Sequence, residues 1–199
     1  DQLEAGEPNF LLAAVPEGEQ TGLAYLDLST AEFRATQVGG HDAAPDEIAR
    51  IAPREILVPP GAMLTPAVGI FMTERADCFG DAPADAALLS DIFGQSLEDL
   101  GLSGMPLAAR AAAAIVRYAR ATQPLAGFPA CRLVATRPSE HLVLDESTVR
   151  NLELVQTMVD ASRRGSLLAV IDRSATSMGA RLLRRWLLYP LADVGAIRR

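Results

Sequence analysis

The side chains of this 199-residue chain that could do chemistry are few and scattered. Asp27, Glu55, Asp77 and Asp81 are acids on separate predicted elements, and several carboxylates converging on two metal ions are what metal-dependent cleavage of nucleic acid requires. One Asp near a strand end ordinarily serves a turn, so the structural role is the favoured expectation for Asp27, and a fold does not bring its chemistry with it. His41 and His141 fall in different predicted domains, which leaves no His dyad or His-based metal cluster; both are expected at the surface. Cys78 and Cys131 have neither a CxxC partner nor a His at ligand spacing and read as ordinary thiols, not a zinc site or a disulfide framework. Gly94, Gly101 and Gly104 do not form a GxxxxGK[ST] phosphate loop, and there is no Lys to complete one. No catalytic, metal or cofactor-binding residue is assigned.

Basic residues offer a second kind of chemistry. All 18 are Arg, which with the abundant Ala is read as a mark of a GC-rich genome and given no mechanistic weight. Their distribution divides the chain: residues 1–127 hold 7 Arg against 18 acids, net −11, and residues 128–199 hold 11 Arg against 7 acids, net +4. Duplex DNA is held mainly by cations that neutralise phosphate, so the first part is a poor DNA binder by itself. Arg181, Arg184 and Arg185 on one predicted helix, with Arg150 and Asn151 on another, are the candidate interdomain or DNA-backbone contacts; the solvated or interdomain role is favoured.

These residues are positioned by elements that the hydrophobic pattern outlines. Asn9–Val15, the alternating run 22–28 and Glu32–Gln37 predict an antiparallel meander. A short helix with Pro45 near its start and Ile48 and Ile51 inside follows, then a strand Glu55–Val58, a weaker strand Val68–Met72, a helix Ala84–Phe93 and a long Ala-rich helix Pro106–Thr122. The pattern βββαβ, then β, α and a long α, predicts an α/β fold of the ribonuclease H-like kind, a mixed sheet flanked by helices. The segment 124–130 carries two prolines and a glycine, and a domain boundary is expected there, between 1–127 and 128–199.

Beyond it, Cys131–Arg137 and His141–Leu144 read as strands around a turn at 138–140. Asp145 as N-cap predicts a helix from Glu146 to about Met158. The apolar run Leu167–Ile171, the cap-rich turn to Ser177 and a helix up to Pro190 complete a mostly helical second part. Met178, Leu182, Leu183, Trp186 and Leu187 are that helix's expected core face. Asp193 is a further N-cap with too little chain after it for a packed helix face. The longest apolar runs are too short to span a bilayer and the opening DQLEAGEP is not signal-like, so no membrane is involved and the cytoplasm is the expected compartment.

Several stretches together resemble one family. SMGARLLRRWLLYPL following LDESTVRNLEL resembles the start of the core domain of the MutS family, the DNA mismatch recognition ATPases of mismatch repair. NFLLAAV, GLAYLDLSTAEFRAT and RYARATQ resemble that family's connector domain, in the family's order. The resemblance implies a piece of a longer protein: a connector over 1–127 and the truncated start of the core from 128. The mismatch-reading domain, the clamp and the ATPase domain would lie elsewhere. It implies no cofactor in this piece, with ATP and magnesium used by the full-length protein, which would act as a homodimer on mismatched duplex DNA. It also implies a MutL-type partner docking on the connector. The helix Ala84–Phe93 is the candidate place: Leu88, Leu89 and Ile92 are spaced to pack inward, and Asp85, Ser90 and Asp91 are expected to face out. A ribonuclease H-like nuclease and a free-standing interaction module are the alternatives.

Overall fold

Leu11–Glu17 (β1) and Gln20–Asp27 (β2) form a hairpin whose register runs from Leu11 opposite Leu26 to Glu17 opposite Gln20. Its tight turn uses Gly18 at φ 60°, a conformation that costs glycine no Cβ clash. Glu32–Gly39 (β3) returns antiparallel to β2, so the expected meander is present. Ala43–Ile51 (α1) leads to Glu55–Val58 (β4), parallel to β1, and Phe71–Glu74 (β5) adds parallel to β4. The weaker strand expected at Val68–Met72 has its first two residues outside the described residues; the strand described is Phe71–Glu74, with Phe71 paired to Glu55 and Glu74 to Val58. The computed structural model describes residues 9–40, 42–64, 70–122, 131–137, 141–142 and 144–198. The expected linker 124–130, the turn 138–140, His41 and the opening eight residues lie outside the described residues.

A 3-10 turn (Ala76–Cys78) precedes Ala82–Phe93 (α2) and Pro106–Thr122 (α3). The order in the sheet is β5-β4-β1-β2-β3-β6, where β6 is Arg132–Ala135, parallel to β3. Hydrophobic pattern alone had put Cys131–Arg137 with the second part; pairing of Leu133 with Phe33 makes it the last strand of the first sheet. The chain divides into compact units accordingly, Asn9–Arg137 and the residues from Pro138 on.

Both faces of the sheet are covered. Leu12, Leu23, Tyr25 and Ile56 meet Ile48 and Ile51 of α1 on one side, while Ala13, Ala24, Phe33 and Leu57 meet Leu89 of α2 and Ile115 of α3 on the other. The alanines of α3 explain its closeness to the sheet. Ala108, Ala111, Ala112, Ala113 and Ala114 are fully buried, and small side chains let the helix axis approach β2 where larger ones would hold it away. Gly22 lies at the crossing: a Cβ there would overlap the Leu107 carbonyl and sit 2.5 Å from the Ala108 nitrogen. The Gln37 side chain accepts the Leu107 N–H at 3.0 Å and donates to Gln20, satisfying one of the orphan donors of the α3 N-terminus.

The second unit departs further from the pattern. Asp145 caps Glu146–Asn151 (α4) through the Thr148 N–H, as expected, yet the helix stops at Asn151 instead of continuing to Met158. Glu153 turns to φ 47°, and the carbonyls of Glu153 and Leu154 accept the N–H groups of Leu167 and Leu168. Those are first-turn donors of Leu167–Ile171 (α5), a short helix. Leaving the helix early thus supplies acceptors for another helix's unsatisfied end. The expected strand His141–Leu144 reduces, among the described residues, to a bridge between His141 and Leu191.

Ser166 completes the α5 N-terminus. It is fully buried, accepts the Ala169 N–H at 3.2 Å and donates to the Arg163 carbonyl at 2.7 Å. Ser166→Ala removes both bonds and leaves buried groups unpaired. A loss of about 1–2 kcal/mol is expected, seen as faster hydrogen exchange at Ala169 and a lower melting temperature; unchanged exchange there would contradict the role.

Ser177–Leu188 (α6) is capped by Thr176, which accepts the Gly179 N–H, and Val194–Ile197 (α7) by Asp193, with no buried residue. The orientation of α6 departs from the expectation in part: of the five residues expected on its core face, Leu183 and Leu187 are half-buried and the other three are exposed. Ala180 and Leu188 are buried, whereas Met178, Leu182 and Trp186 are exposed, Trp186 by 63 %. Arg181, Arg184 and Arg185 share the side of Leu188, at i, i+3, i+4 and i+7, and are half-buried. Within the unit α5 packs against α6, and Tyr189 at the end of α6 meets His141 edge-on.

Candidate functional site

The Asp81 carboxylate accepts the Ala84 N–H and starts α2, and Gly94 closes it at φ 63°. Leu89 is fully buried and Leu88 and Ile92 pack partly against the same core, so the inward row is the expected one. Asp91 is exposed and Ser90 half-buried, and with the exposed Glu98 and Asp99 of the following loop they give this face a negative character.

Asp85 does not belong to that face. It is 1 % exposed and its carboxylate lies 2.5 Å from the Arg117 guanidinium, which also donates to the Cys78 carbonyl at 2.9 Å. One helical turn from the N-cap, Asp85 points back toward α3, where Arg117 is the cation able to meet it. Burial pushes the Asp85 carboxyl up, and the hydrogen-bonding and charge of Arg117 oppose that rise. The pair leaves no room beside it: a Cβ on Gly80 would sit 2.7 Å from Arg117 Nη2 and 2.8 Å from Asp85 Oδ1. Asp85 is thus a structural link between α2, the 3-10 turn and α3. Two sequence signals pointed to it: Asp85 shares the i, i+3, i+4, i+7 row of Leu88, Leu89 and Ile92, and Arg110 and Arg117 stand seven apart on an Ala-rich buried helix, where a cation demands a carboxylate.

A cleft of about 460 Å³ opens at the end of the sheet where β1 begins and β2 ends, lined by Phe10, Leu26, Asp27, Arg54, Glu55 and Tyr118 among others. It brings together Asp27 and Glu55, two of the four acids, and each has a structural occupation. Asp27 Oδ1 accepts the Ser29 N–H at 2.8 Å and its hydroxyl at 2.6 Å, the turn role expected of it. Glu55 accepts from the Thr73 hydroxyl at 2.8 Å and the Tyr118 hydroxyl at 3.2 Å. Burial first, then the Glu55 charge, push the Tyr118 phenol up. Asp77 belongs to a different site: Arg75 grips it with two hydrogen bonds and holds its carboxyl below the usual range, while the same guanidinium lies 5.2 Å from the Tyr118 ring centre. Among the described residues no group of three His, Cys, Asp or Glu side chains is arranged to hold a metal ion. Cys78 and Cys131 are buried free thiols, and burial pushes both up, which makes them poor nucleophiles.

In the second unit Arg150 and Asn151 are exposed at the end of α4. Arg181, Arg184 and Arg185 are half-buried and engaged in interactions of their own, so the structure does not gather the five into one exposed basic surface. No described helix is long and apolar enough to cross a membrane.

The MutS domain II family model matches residues 9–127, and the MutS domain III family model matches residues 147–199. The chain is 40 % identical to the DNA mismatch repair protein MutS of Acaryochloris marina over 98 % of its own length and 24 % of the relative's. It is 38 % identical to that of Syntrophobacter fumaroxidans, covering 98 % and 23 %, and 41 % identical to that of Microcystis aeruginosa, covering 98 % and 24 %. It spans about a quarter of the length of these relatives. Strands β1 to β5 and helices α1 to α3 fall on the domain II match, β6 lies just beyond its end, and the short helices α4 to α7 fall on the domain III match, α4 starting one residue before it; the chain belongs to the MutS family.

Proposed function

We propose that this segment is the non-catalytic connector of a mismatch recognition protein, joining the part that reads mismatched duplex DNA to the core and ATPase parts. The observation that carries this reading is the apolar row of α6: Met178, Leu182 and Trp186 stand exposed on a helix that falls in the domain III match. A row of this spacing is built to be covered by further helices, as expected of a segment working inside a longer chain. In that longer protein, ATP and magnesium act at the ATPase part, the protein is a homodimer, and its compartment is the cytoplasm. The nuclease alternative is disfavoured by the turn and network roles of Asp27 and Glu55.

Two expected results test this. The 199-residue chain should release no phosphate from ATP and cleave no duplex or hybrid substrate with magnesium or manganese. It should also bind homoduplex and mismatched DNA weakly and alike at physiological salt, because its first part is net −11. Turnover that survives purification, or a clear mismatch preference in anisotropy titrations, would overturn the reading.

The reading includes a docking surface for a MutL-type partner on the outer side of α2 and its following loop, centred on Ser90 and Asp91 and without Asp85. An exposed acidic face suits a transient, salt-sensitive contact. In a longer MutS chain carrying this segment, Asp91→Arg should weaken MutL binding by about tenfold with no change in melting temperature. Equal affinity in the variant would remove α2 as the docking place and leave the connector role standing.

A further inference from the structure

The two units of the chain are stabilised very unequally. Both apolar cores lie within Asn9–Arg137. Among its described residues the second unit buries four apolar side chains, Leu154, Leu168, Ala180 and Leu188, and it carries thirteen of the sixteen large apolar side chains that stand exposed. Its helices α4 to α7 are six, five, twelve and four residues long, lengths at which a helix is marginal unless packing supports it. What holds this unit is local. A side chain caps the start of each of the four helices, and Arg163, before α5, pairs with Asp172 at its end, partly exposed. Hydrogen bonds and exposed pairs of this kind fix a shape and add little net stability. That shape presents two uncovered rows: Leu167, Val170 and Ile171 on α5, and Met178, Leu182 and Trp186 on α6.

We infer that residues 138–199 are an order-on-docking element: they open and close separately from the first unit, and they hold their fold firmly only once further helices of the same longer polypeptide cover the α5 and α6 rows. The inference rests on the connector reading for what does the covering. Met178, Leu182 and Trp186, four apart, form the ridge that seats in the groove of another helix, so the cover is helical. The chain spans about a quarter of the length of its MutS relatives, so a protein of that length has ample chain to supply it. Cover from the same polypeptide also acts at a high effective concentration, which a second copy in dilute solution does not match. The helix caps preorganise the rows, and docking supplies the burial that the unit lacks. Order in the segment that joins connector to core is then conditional on an assembled core, and the two parts move as one only in that state.

The test is hydrogen exchange, read along the sequence, on the whole 199-residue chain and on a longer MutS chain carrying this segment. In the 199-residue chain α5 and α6 should be less protected than α3 by about a hundredfold or more, at any protein concentration. In the longer chain their protection should rise by about a hundredfold while that of α3 stays the same. Leu182→Glu with Trp186→Glu alters two exposed positions, so exchange in the 199-residue chain should not change, whereas the gain in the longer chain should be lost. Protection of α3 in the same measurement shows whether the rest of the protein is folded; if it is not, Val170→Glu on the other row decides by the same loss. Equal protection of α3, α5 and α6 in the 199-residue chain, no gain in the longer chain, or a gain that both variants keep would each overturn the inference and leave the connector role standing. Protection that grows with concentration would give the rows to a second copy and overturn it as well. Turnover or mismatch preference by the 199-residue chain, which overturns the connector reading, would leave the contrast between α3 and α6 untouched.

Discussion

Gly22→Ala is expected to destabilise the first unit by at least about 3 kcal/mol, and Gly22→Val to prevent its folding. The added Cβ would meet main chain, the Leu107 carbonyl and the Ala108 nitrogen, so no side-chain rotation relieves the overlap; α3 itself must lift from β2. Lifting it opens gaps along the buried alanines from Ala108 to Ala114 and strains the Gln37 bond to the Leu107 N–H. Domains are stable by only about 5–15 kcal/mol, so the larger substitution exceeds what the unit can absorb. Gly39→Ala is the control, because a Cβ at Gly39 meets nothing within 4 Å and its φ is not positive. Chemical denaturation of the three variants beside the parent chain checks this. Parity between Gly22→Ala and Gly39→Ala would show that α3 does not press on Gly22.

Arg117→Leu is the second substitution with a large expected effect. It leaves the Asp85 carboxylate buried without its cation and frees the Cys78 carbonyl. Breaking a buried pair from one side costs about 3–5 kcal/mol, and because the Arg117 side chain is 23 % exposed the lower end, ~3 kcal/mol, is expected. Asp85→Asn, which removes the buried negative charge and keeps a polar group near Arg117, should cost less. The sign of the pH dependence distinguishes this from a loss of packing. Burial already holds the Asp85 carboxyl above its unfolded value, and without Arg117 it must rise further. A carboxyl raised on folding binds more protons in the folded state, so the variant loses stability as pH climbs from the unfolded value toward the folded one and regains it on acidification. The gap between Arg117→Leu and the parent chain should therefore narrow as pH is lowered through the carboxylate range, and narrow less when Asp85→Asn is also present. A gap independent of pH in both backgrounds would make Arg117 a packing residue only.

The division between what the sequence determined and what tertiary structure decided follows the range of the interactions involved. The β1–β2–β3 meander, β4, α2 and α3 were legible because alternation, N-caps and chain-breaking prolines act within a few residues. Asp81, Asp145 and Asp193 cap the helices that follow them, and Pro106 opens α3. The family was legible too, since the runs LDESTVRNLEL and SMGARLLRRWLLYPL carry identity in residue order and need no geometry. What failed depended on partners far along the chain. Arg132–Ala135 joins the first sheet because Phe33, a hundred residues earlier, offers a free edge to Leu133. The α4 helix stops at Asn151, without a Gly or Pro, because the Glu153 and Leu154 carbonyls go to the N-terminus of α5. By contrast, Asp85 stands three, four and seven residues before Leu88, Leu89 and Ile92, so helical spacing puts it on the inward row and the expectation that it faces out was mistaken; Arg117 on α3 supplies the cation that lets a carboxylate lie there. In α6 periodicity separated Met178–Leu182–Trp186 from Arg181–Arg184–Arg185, but the expectation that the apolar face would be the covered one failed for Met178, Leu182 and Trp186. A helix is amphipathic by sequence, but which face is buried is settled by what the rest of the fold brings against it.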